Sequence, residues 1–449
     1  MDVNLRELIL NILLEINRDG EHSHIAIGRT LAKYQFLPKS DRAFITRICE
    51  GTVEYRIQLD YIVDCVSNVK VKKMKPVIRE IMRLSVYQLK YMDSVPDSAV
   101  VNEAVKLAQK KGFRNLKNFV NGVLRNVVRR LNEIEYPDRE NELMKHLSIR
   151  YSMPQWLVEQ WCEEFGVETC ESMLDSFLKH RKTTVRICRT GHDVDQTIEE
   201  LKREGVVVEK APYALDGYEI SGYDYLGALP AFRNGKIQVQ DVSSMLVAQV
   251  ANPQSEFQVL DLCAAPGGKS LHVADLMKGQ GMVEARDVTE YKVGLIQENI
   301  SRLGLTNVQA TVRDATVLYP EDVERADLVL ADVPCSGYGV IGKKPDIKYG
   351  ADREKQQSLL ELQREILTNA ASYVKKGGTL IYSTCTVGRT ENMDQLLWFT
   401  ENFPFQLESL NPYLSPDLHS ETTEAGYLQL IPGVHQCDGF FLAKLRKNT

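Results

Sequence analysis

Two cysteines and one aspartate follow short apolar runs that are typical of buried β-strands. Leu328–Ala331 leads into Asp332 and then Cys335, and Thr379–Tyr382 leads into Cys385. The carboxyl ends of strands in a doubly wound sheet share one edge, so we expect both thiols and the carboxylate to face a common site. A thiolate is a strong nucleophile and a carboxyl group can move protons. The set therefore predicts covalent catalysis with acid–base assistance.

A loop of small residues follows another apolar run, Val259–Cys263, and a helical segment comes after it. The loop residues are Cys263, Ala264, Ala265, Pro266, Gly267, Gly268 and Lys269. Glycines let a ligand approach the backbone, and the first turn of a helix adds unpaired N–H donors. The end of the loop is similar to a phosphate-binding P-loop, but that motif needs glycine at position 263. Pro266 also lacks an N–H group. We therefore expect a cofactor other than a nucleoside triphosphate.

Two further aspartates stand at predicted strand ends. Asp287 follows Met282–Ala285, and Asp314 follows Val308–Val312. A carboxylate at the first position can accept hydrogen bonds from both ribose hydroxyls of an adenosine cofactor, and one at the second can reach the adenine. Each could instead be a turn residue or a helix cap. Together with Asp332, these acidic strand ends suit a cofactor that carries a positive sulfonium and no phosphate, which predicts S-adenosylmethionine.

A thiol beside a methyl donor indicates methylation of a carbon atom. Carbon 5 of cytosine is a poor nucleophile until a thiolate adds to carbon 6 and makes the ring enamine-like. A carboxyl group near ring nitrogen 3, such as Asp332, assists this addition. A base then removes the carbon 5 proton and the thiol leaves. These residues alone leave open whether Cys335 or Cys385 attacks.

Five stretches of the C-terminal half carry a resemblance to a known family. They are Val239–Asp241, Leu260–Lys269, Asp332–Gly337, Ser383–Thr386 and Gly439–Lys444. They resemble motifs of the RsmB/NOP family of RNA cytosine-5 methyltransferases, which have a Rossmann-like α/β catalytic domain. The resemblance implies that Cys385 is the nucleophile and that Cys335 assists product release. It also implies that the cofactor positions are Cys263 through Lys269, Asp287, Asp314 and Asp332.

The N-terminal segment, residues 1–135, has the periodicity of an all-α bundle and an excess of positive charge. Residues 1–132 contain 23 Lys and Arg against 14 Asp and Glu. Phe119–Arg125 resembles the closing helix of the NusB-type RNA-binding bundle, which accompanies the catalytic domain in family members that act on 16S rRNA. The candidate RNA-binding residues are Lys106, Lys110, Lys111, Arg114, Lys117, Arg125, Arg129 and Arg130. The alternative is a solvated helix face.

The middle segment, residues 140–235, is predicted to begin with linker helices over residues 145–180 and then to alternate between strand-like and helical pieces. Thr183–Cys188 alternates as a strand does, and Val194–Arg203 has helical spacing. The segment resembles the small α+β, RRM-like module that precedes the catalytic domain in the family. It lacks an aromatic base-stacking signature, so we expect a supporting or clamping role. The catalytic domain is predicted to span residues 236–449.

Composition limits the remaining alternatives. No apolar run reaches the roughly 18 residues that a membrane span needs, and the N-terminus lacks the features of a signal peptide. The nine cysteines are scattered without a Cys-x-x-Cys pair, which predicts free thiols and no metal site. We expect a cytoplasmic monomer whose partner is RNA, namely 16S rRNA. The alternatives are the same chemistry on tRNA or 23S rRNA, and a non-catalytic RNA-binding factor, which the intact cysteines disfavour.

Overall fold

The computed structural model of the chain divides into two compact units. It describes residues 3–179, 181–350 and 352–449. The first unit consists of Met1–Leu178 and Ile341–Gly350, and the second consists of Lys179–Val340 and Ala351–Thr449. The segment Ile341–Gly350 therefore interrupts the second unit in sequence but packs with the first.

The first unit is built of helices, as the periodicity predicts. They are α1 (Leu5–Asn17), α2 (Ser23–Lys33), α3 (Lys39–Glu54), α4 (Arg56–Val66), α5 (Pro76–Tyr91), α6 (Asp97–Lys110), α7 (Lys117–Arg130), α8 (Leu143–Arg150), α9 (Gln155–Phe165) and α10 (Val167–Phe177). One apolar core joins α1 to α7, and α5 contributes Ile78, Ile81 and Met82, which are all buried. Burial of these apolar faces drives the bundle to form.

The inserted segment Ile341–Gly350 is held by the junction of α3 and α4. Tyr349 donates its hydroxyl hydrogen bond to the carbonyl of Val53 over 2.8 Å, and the guanidinium of Arg56 lies 3.5 Å from the centre of the Tyr349 ring. Lys348 donates to the carbonyl of Glu54 over 2.8 Å and is 1% exposed. Burial lowers the pKa of Lys348 to about 7, although the charge of Glu54 opposes this. The chain that follows the Cys335 loop is thus packed within the helical unit.

The second unit begins with a small antiparallel sheet. Its elements are β1 (Thr183–Ile187), α11 (Val194–Arg203), β2 (Val207–Lys210), β3 (Gly217–Ser221), α12 (Pro230–Arg233) and β4 (Ile237–Val239), and the strand order is β2-β3-β1-β4. Val185, Ile187 and Leu201 lie in its core. The small α+β module is therefore confirmed. Strand β4 lies beyond the predicted boundary at residue 235. Helices α8 to α10, which fall within the predicted middle segment, pack in the first unit.

A larger sheet with helices forms the rest of the second unit. The elements are α13 (Val242–Ala251), β5 (Gln258–Asp261), α14 (Gly268–Leu276), β6 (Met282–Asp287), α15 (Glu290–Leu303), β7 (Val308–Val312), β8 (Ala326–Asp332), α16 (Ile347–Gly350, in the inserted segment), α17 (Arg353–Tyr373), β9 (Val374–Thr384), α18 (Met393–Asn402), β10 (Phe405–Leu407), α19 (Glu421–Glu424), β11 (Tyr427–Leu430) and β12 (Phe440–Lys447). The order is β10-β12-β9-β8-β5-β6-β7, with β11 paired to β12.

The strands from β9 to β7 are parallel, whereas β12 runs antiparallel to β9. Along β8, Leu328 and Leu330 pack in one core while Val329 and Ala331 pack in another. Both faces of the sheet are therefore covered, which is why its strands are continuous apolar runs. The strand order reverses between β5 and β8, and such a switch point opens a crevice at the carboxyl ends of the strands.

Candidate active site

The loops that follow β8 and β9 bring the two predicted thiols together. The Sγ atoms of Cys335 and Cys385 lie 3.3 Å apart. Two backbone hydrogen bonds join the loops, one before and one after Cys335. Val333 N–H donates to the carbonyl of Ser383 over 3.2 Å, and Gly339 N–H donates to the carbonyl of Cys385 over 3.0 Å. Both cysteines are partly exposed as whole residues.

Asp332 and Lys269 form an ion pair beside the thiols. The Nζ atom of Lys269 lies 2.5 Å from Asp332 Oδ2, and Ser383 Oγ donates to Asp332 Oδ1 over 2.7 Å. Burial would lower the pKa of Lys269, but the charge of Asp332 and its hydrogen bond raise that pKa above the ordinary value. The charge of Cys385 acts in the same direction. Lys269 is therefore an ammonium ion that faces both the carboxylate and the second thiol.

The surroundings of Cys335 favour its neutral thiol. Its pKa lies well above the ordinary value because Cys385 shares a hydrogen bond with it, because the surrounding atoms shield its sulfur from water, and because Cys385, Glu391 and Asp332 can carry negative charge nearby. A thiolate at Cys385, in contrast, interacts favourably with the ammonium of Lys269. The site thus treats its two thiols differently.

The glycine loop connects β5 to α14 and contacts the end of β6. Ala265 N–H donates to Asp287 Oδ2 over 3.0 Å, and Asp287 Oδ1 accepts from Val288 N–H over 2.8 Å and lies 3.0 Å from Lys292 Nζ. Gly267 precedes the helix with φ +103°, a conformation that side chains rarely adopt. A Cβ atom at Gly268 would meet nothing closer than 3.9 Å. That contact, with the side chain of Gln240, is an ordinary van der Waals distance, so the backbone requires glycine at Gly267 and not at Gly268.

The remaining residues of the loop stabilise its shape. Ala264 N–H donates to the carbonyl of Arg286 over 2.8 Å, and the carbonyl of Pro266 accepts from Asn299 Nδ2 over 3.0 Å. Burial raises the pKa of the Cys263 thiol well above its ordinary value, and neighbouring carboxylates add to that. Cys263 is thus a neutral thiol of the loop, as Cys335 is in its own loop.

Asp314 stands one strand away from Asp287. Its Oδ1 accepts from the N–H of Thr316 over 2.9 Å and from the Thr316 hydroxyl over 2.7 Å, so the carboxylate stabilises its own turn. Arg313 N–H donates to the carbonyl of Asp287 over 3.0 Å, which holds the two strand ends together. The turn function that the sequence left open is therefore present, and the carboxylate lies at the predicted edge.

The acidic groups at this edge of the sheet fit an adenosine cofactor that carries a positive charge. Carboxylates stand at the ends of β6, β7 and β8, in Asp287, Asp314 and Asp332. Acidic groups attract a cation and accept hydrogen bonds from hydroxyls, whereas they would repel a pyrophosphate.

Glu391 is a polar residue of the site that the sequence analysis missed. It is fully buried, and its Oε2 accepts from Ser336 N–H over 2.8 Å and from Gln363 Nε2 over 3.1 Å. The hydroxyls of Ser336 and Thr386 are 2.7 Å apart. Glu391 follows Cys385 in a loop without periodicity, so no pattern marks it as a neighbour of Cys335.

Half of the candidate RNA-binding residues in the first unit pair with acidic side chains. Lys110 and Lys111 lie 2.6 and 3.0 Å from the carboxylate of Glu7. Lys106 pairs with Glu103, and Arg130 lies 4.0 Å from Glu133. Arg125 and Arg129 line a groove of about 700 Å³ between α6 and α7. Within the described ranges, Arg114 and Lys117 are exposed and have no acidic partner at salt-bridge distance.

The described residues contain neither a cluster of metal ligands nor a helix that could span a membrane. No group of three or more His, Cys, Asp or Glu side chains in the described part of the chain could hold a metal ion. Helices there that are both long enough and apolar enough to span a membrane are also absent. All nine cysteines are free thiols.

Three family models match the chain. The model described as 16S rRNA methyltransferase RsmB/F matches residues 248–446, and the NusB family model matches residues 3–129. The ferredoxin-like domain of RsmF/B-like methyltransferases matches residues 153–222. The family resemblances and the fold classes of the three segments are therefore confirmed.

Individual relatives match over the full length. "Probable ribosomal RNA small subunit methyltransferase B" of Bacillus subtilis (strain 168) is 36% identical and covers 99% of both chains. The protein of the same name in Synechocystis sp. is 35% identical and covers 99% of this chain and 100% of its own. The crystal structure of PH0851 has a TM-score of 0.84 at 27% identity and covers 100% of both chains.

Proposed function

The chain belongs to the 16S rRNA methyltransferase RsmB/F family, and we propose that it methylates carbon 5 of a cytosine in 16S rRNA through a covalent adduct on Cys385. The observation that carries this proposal is the thiol pair, 3.3 Å apart, beside an ammonium–carboxylate pair at one strand edge. Methylation of an exocyclic amine or a ribose hydroxyl needs no thiol, so two thiols here favour a ring carbon.

S-adenosylmethionine supplies an electrophilic methyl group on a sulfonium. We assign its binding to the loop from Cys263 to Lys269 and to the carboxylates of Asp287 and Asp314, with Asp332 at the reacting end. Asp287 suits ribose hydroxyls because it is a buried acceptor at the end of β6. The N-terminus of α14 adds backbone N–H donors beside the loop, since no side chain among the described residues caps it. The methyltransferase names of the relatives support the same cofactor.

The first step forms a bond between Cys385 Sγ and carbon 6 of the cytosine. The ammonium of Lys269 favours the attacking thiolate, since the two groups attract each other. Asp332 supports the step by accepting a hydrogen bond from the exocyclic amine beside ring nitrogen 3, and Ser383 and Lys269 fix the position of its carboxylate. The electron pair of the carbon 5–carbon 6 double bond then makes carbon 5 nucleophilic.

Release of the product breaks the same Sγ–carbon 6 bond. After carbon 5 has gained the methyl group, a base takes the carbon 5 proton, the double bond reforms, and the sulfur of Cys385 leaves as a thiolate. Cys335 lies within hydrogen-bond distance of that sulfur and has a raised pKa. It can therefore donate an S–H hydrogen bond to the departing thiolate, which assists release.

The RNA and the base are tested by bisulfite sequencing of total RNA from a deletion strain. We expect the loss of one 5-methylcytosine in 16S rRNA and its return with the wild-type gene but not with Cys385→Ala. Loss of a mark in tRNA or 23S rRNA would show that the substrate assignment is wrong. No lost 5-methylcytosine in any RNA would contradict the assignment to carbon 5.

The two thiols are tested separately in the purified full-length chain. Cys385→Ala should abolish methyl transfer while cofactor binding persists. Cys335→Ala should let a protein–RNA adduct accumulate, which is visible on a denaturing gel. The exposed Cys65 is the matched control, and Cys65→Ala should behave as wild type. Normal turnover of Cys385→Ala would contradict the nucleophile assignment.

A further inference from the structure

Two adjacent residues, Glu391 and Asn392, lie beneath both thiol loops, and the proposed reaction steps do not use them. Glu391 is 0% exposed and Asn392 is 1% exposed. They end the short turn that follows β9. Tyr382, which is itself buried, donates its hydroxyl hydrogen bond to the carbonyl of Glu391. The backbone of this turn is thereby held to the strand that leads to Cys385.

Glu391 contacts the loop on both sides of Cys335, directly on one side and through Gln363 on the other. Its Oε2 accepts from Ser336 N–H over 2.8 Å and from Gln363 Nε2 over 3.1 Å. Gln363 Nε2 also donates to the carbonyl of Pro334 over 3.0 Å. Pro334 and Ser336 flank Cys335 in sequence. The carboxylate therefore determines the path of the backbone that carries the first thiol.

Asn392 contacts the residues on both sides of Cys385. Its Oδ1 accepts from the hydroxyl of Thr384 over 2.6 Å, and its Nδ2 donates to the carbonyl of Thr386 over 3.2 Å. The hydroxyl of Thr386 lies 2.7 Å from that of Ser336, which joins the two loops. One dipeptide thus holds three of the four residues that flank the two thiols directly, and it holds the fourth, Pro334, through Gln363.

The carboxylate of Glu391 also adds negative charge on the Cys335 side of the site. Its Oε1 has no hydrogen-bond partner among the described residues, although it is buried. The groups that face Cys335 are Cys385, Glu391 and Asp332, and negative charge on each disfavours a thiolate there. The ammonium of Lys269 faces Asp332 and Cys385. The charge of Glu391 and its hydrogen bonds therefore both act on the same group, the Cys335 thiol.

We propose that Glu391 is a positioning residue that holds Cys335 against Cys385 and keeps Cys335 in its protonated thiol form, while Asn392 holds Cys385. A thiol at Cys335 can donate a hydrogen bond to the departing sulfur and does not compete for carbon 6. This consequence for catalysis rests on the proposed function. The positions of Glu391 and Asn392 beside the two thiols do not depend on the proposed function.

The charge effect is tested by alkylation of Cys335 with iodoacetamide, followed by mass spectrometry of its peptide across a pH series. All variants are made in the full-length chain that carries Cys385→Ser. In Glu391→Gln the midpoint of alkylation should fall by about one pH unit, the effect of one charged neighbour. The control Glu284→Gln removes another buried carboxylate of the same unit and should leave the midpoint unchanged. An unchanged midpoint in folded Glu391→Gln would overturn the proposal.

The positioning effect is tested with Glu391→Asp, which keeps the charge but shortens the side chain. In this variant the alkylation midpoint should stay in place, while methyl transfer by the chain with both cysteines should fall at least about tenfold, which corresponds to about 1.4 kcal/mol. Unchanged turnover in Glu391→Asp would overturn the positioning role. This test remains available even if Glu391→Gln does not fold. Alkylation needs neither RNA nor cofactor, so its result stands even if carbon 5 is not the target.

Discussion

The Nζ atom of Lys269 lies 2.5 Å from Oδ2 of Asp332, and this contact joins the two halves of the active site. Lys269 belongs to the first turn of α14, directly after the glycine loop, whereas Asp332 ends β8. The pair therefore spans the switch point between β5 and β8. Because the same ammonium also interacts with Cys385, the glycine loop and the proposed nucleophile share one cation.

Removal of the Lys269 ammonium should lower both the reactivity of the Cys385 thiol and the turnover. In Lys269→Met, Asp332 loses its charged partner and the Cys385 thiolate loses its favourable neighbour, so we expect turnover to fall at least about a hundredfold. The alkylation midpoint of Cys385, followed in the Cys335→Ser background, should rise. Lys376→Met replaces an exposed lysine of β9 and is the control. A midpoint equal to that of the control would argue against the assigned role of Lys269.

Cofactor affinity should depend on Asp287. Its carboxylate accepts from two backbone N–H groups and lies 3.0 Å from Lys292 Nζ, so Asp287→Asn removes a charge from an organised site. We expect the Kd for S-adenosylmethionine, measured by isothermal titration calorimetry, to rise at least about tenfold, or about 1.4 kcal/mol.

Asp327 offers a matched control at the opposite edge of the sheet. It also accepts from a backbone N–H, that of Gln258 over 2.8 Å, and also pairs with a lysine, Lys375, over 2.8 Å. Asp327→Asn should therefore change stability without changing the Kd. Equal losses of affinity in the two variants would show that Asp287 acts through the fold alone.

The parallel strands and the residues at their ends could be predicted because each depends on local sequence. A strand buried on both faces, such as β8, must be a continuous apolar run. The chemistry then follows directly at its carboxyl end, where Asp332 and Cys335 stand. The short strands β10 and β11 have no such signal, since they pair at the edge region with β12 and are covered on fewer sides.

Contacts between distant segments could not be predicted in this way. Ser336 is 55 residues from Glu391, and their hydrogen bond exists only because the turn after β9 packs beneath the β8 loop. Lys110 is 103 residues from Glu7, so the sequence gives no sign that the two side chains form a pair. The count of charges therefore made Lys110 a candidate for RNA binding, although it has an acidic partner within the unit. Composition describes how many charges a segment has, but pairing depends on the tertiary fold.

Stability should depend on pH through Asp261. This carboxyl is 1% exposed and accepts from Ser270 Oγ over 2.5 Å. Burial raises its pKa to about 7, against the hydrogen bond from Ser270, which lowers it. Because the folded pKa exceeds the unfolded one, the group stabilises the fold at low pH. That contribution is lost as the pH rises from the ordinary value of 3.8 towards 7.

The measurement compares wild type with Asp261→Asn, which cannot ionise. The free energy of unfolding of the wild type should fall relative to that of the variant as the pH rises through this window, by roughly 1 kcal/mol or more. The exposed Asp93 provides the control variant Asp93→Asn. If the difference between wild type and Asp261→Asn stayed constant with pH, the carboxyl would not titrate in this range.

RNA affinity should depend more on Arg114 and Lys117 than on Lys110 and Lys111, although all four are candidate phosphate contacts. The second pair already lies within 3.0 Å of the Glu7 carboxylate, whereas the first pair has no acidic partner at salt-bridge distance among the described residues. A phosphate can attract an exposed cation without displacing an internal partner. Arg114→Gln with Lys117→Gln should therefore weaken binding and reduce the slope of log affinity against log salt by about 0.7 to 0.9 per lost contact. Lys110→Gln with Lys111→Gln removes the same charge from the same unit and should change that slope less. Equal slopes in the two double variants would mean that both pairs, or neither, contact phosphate.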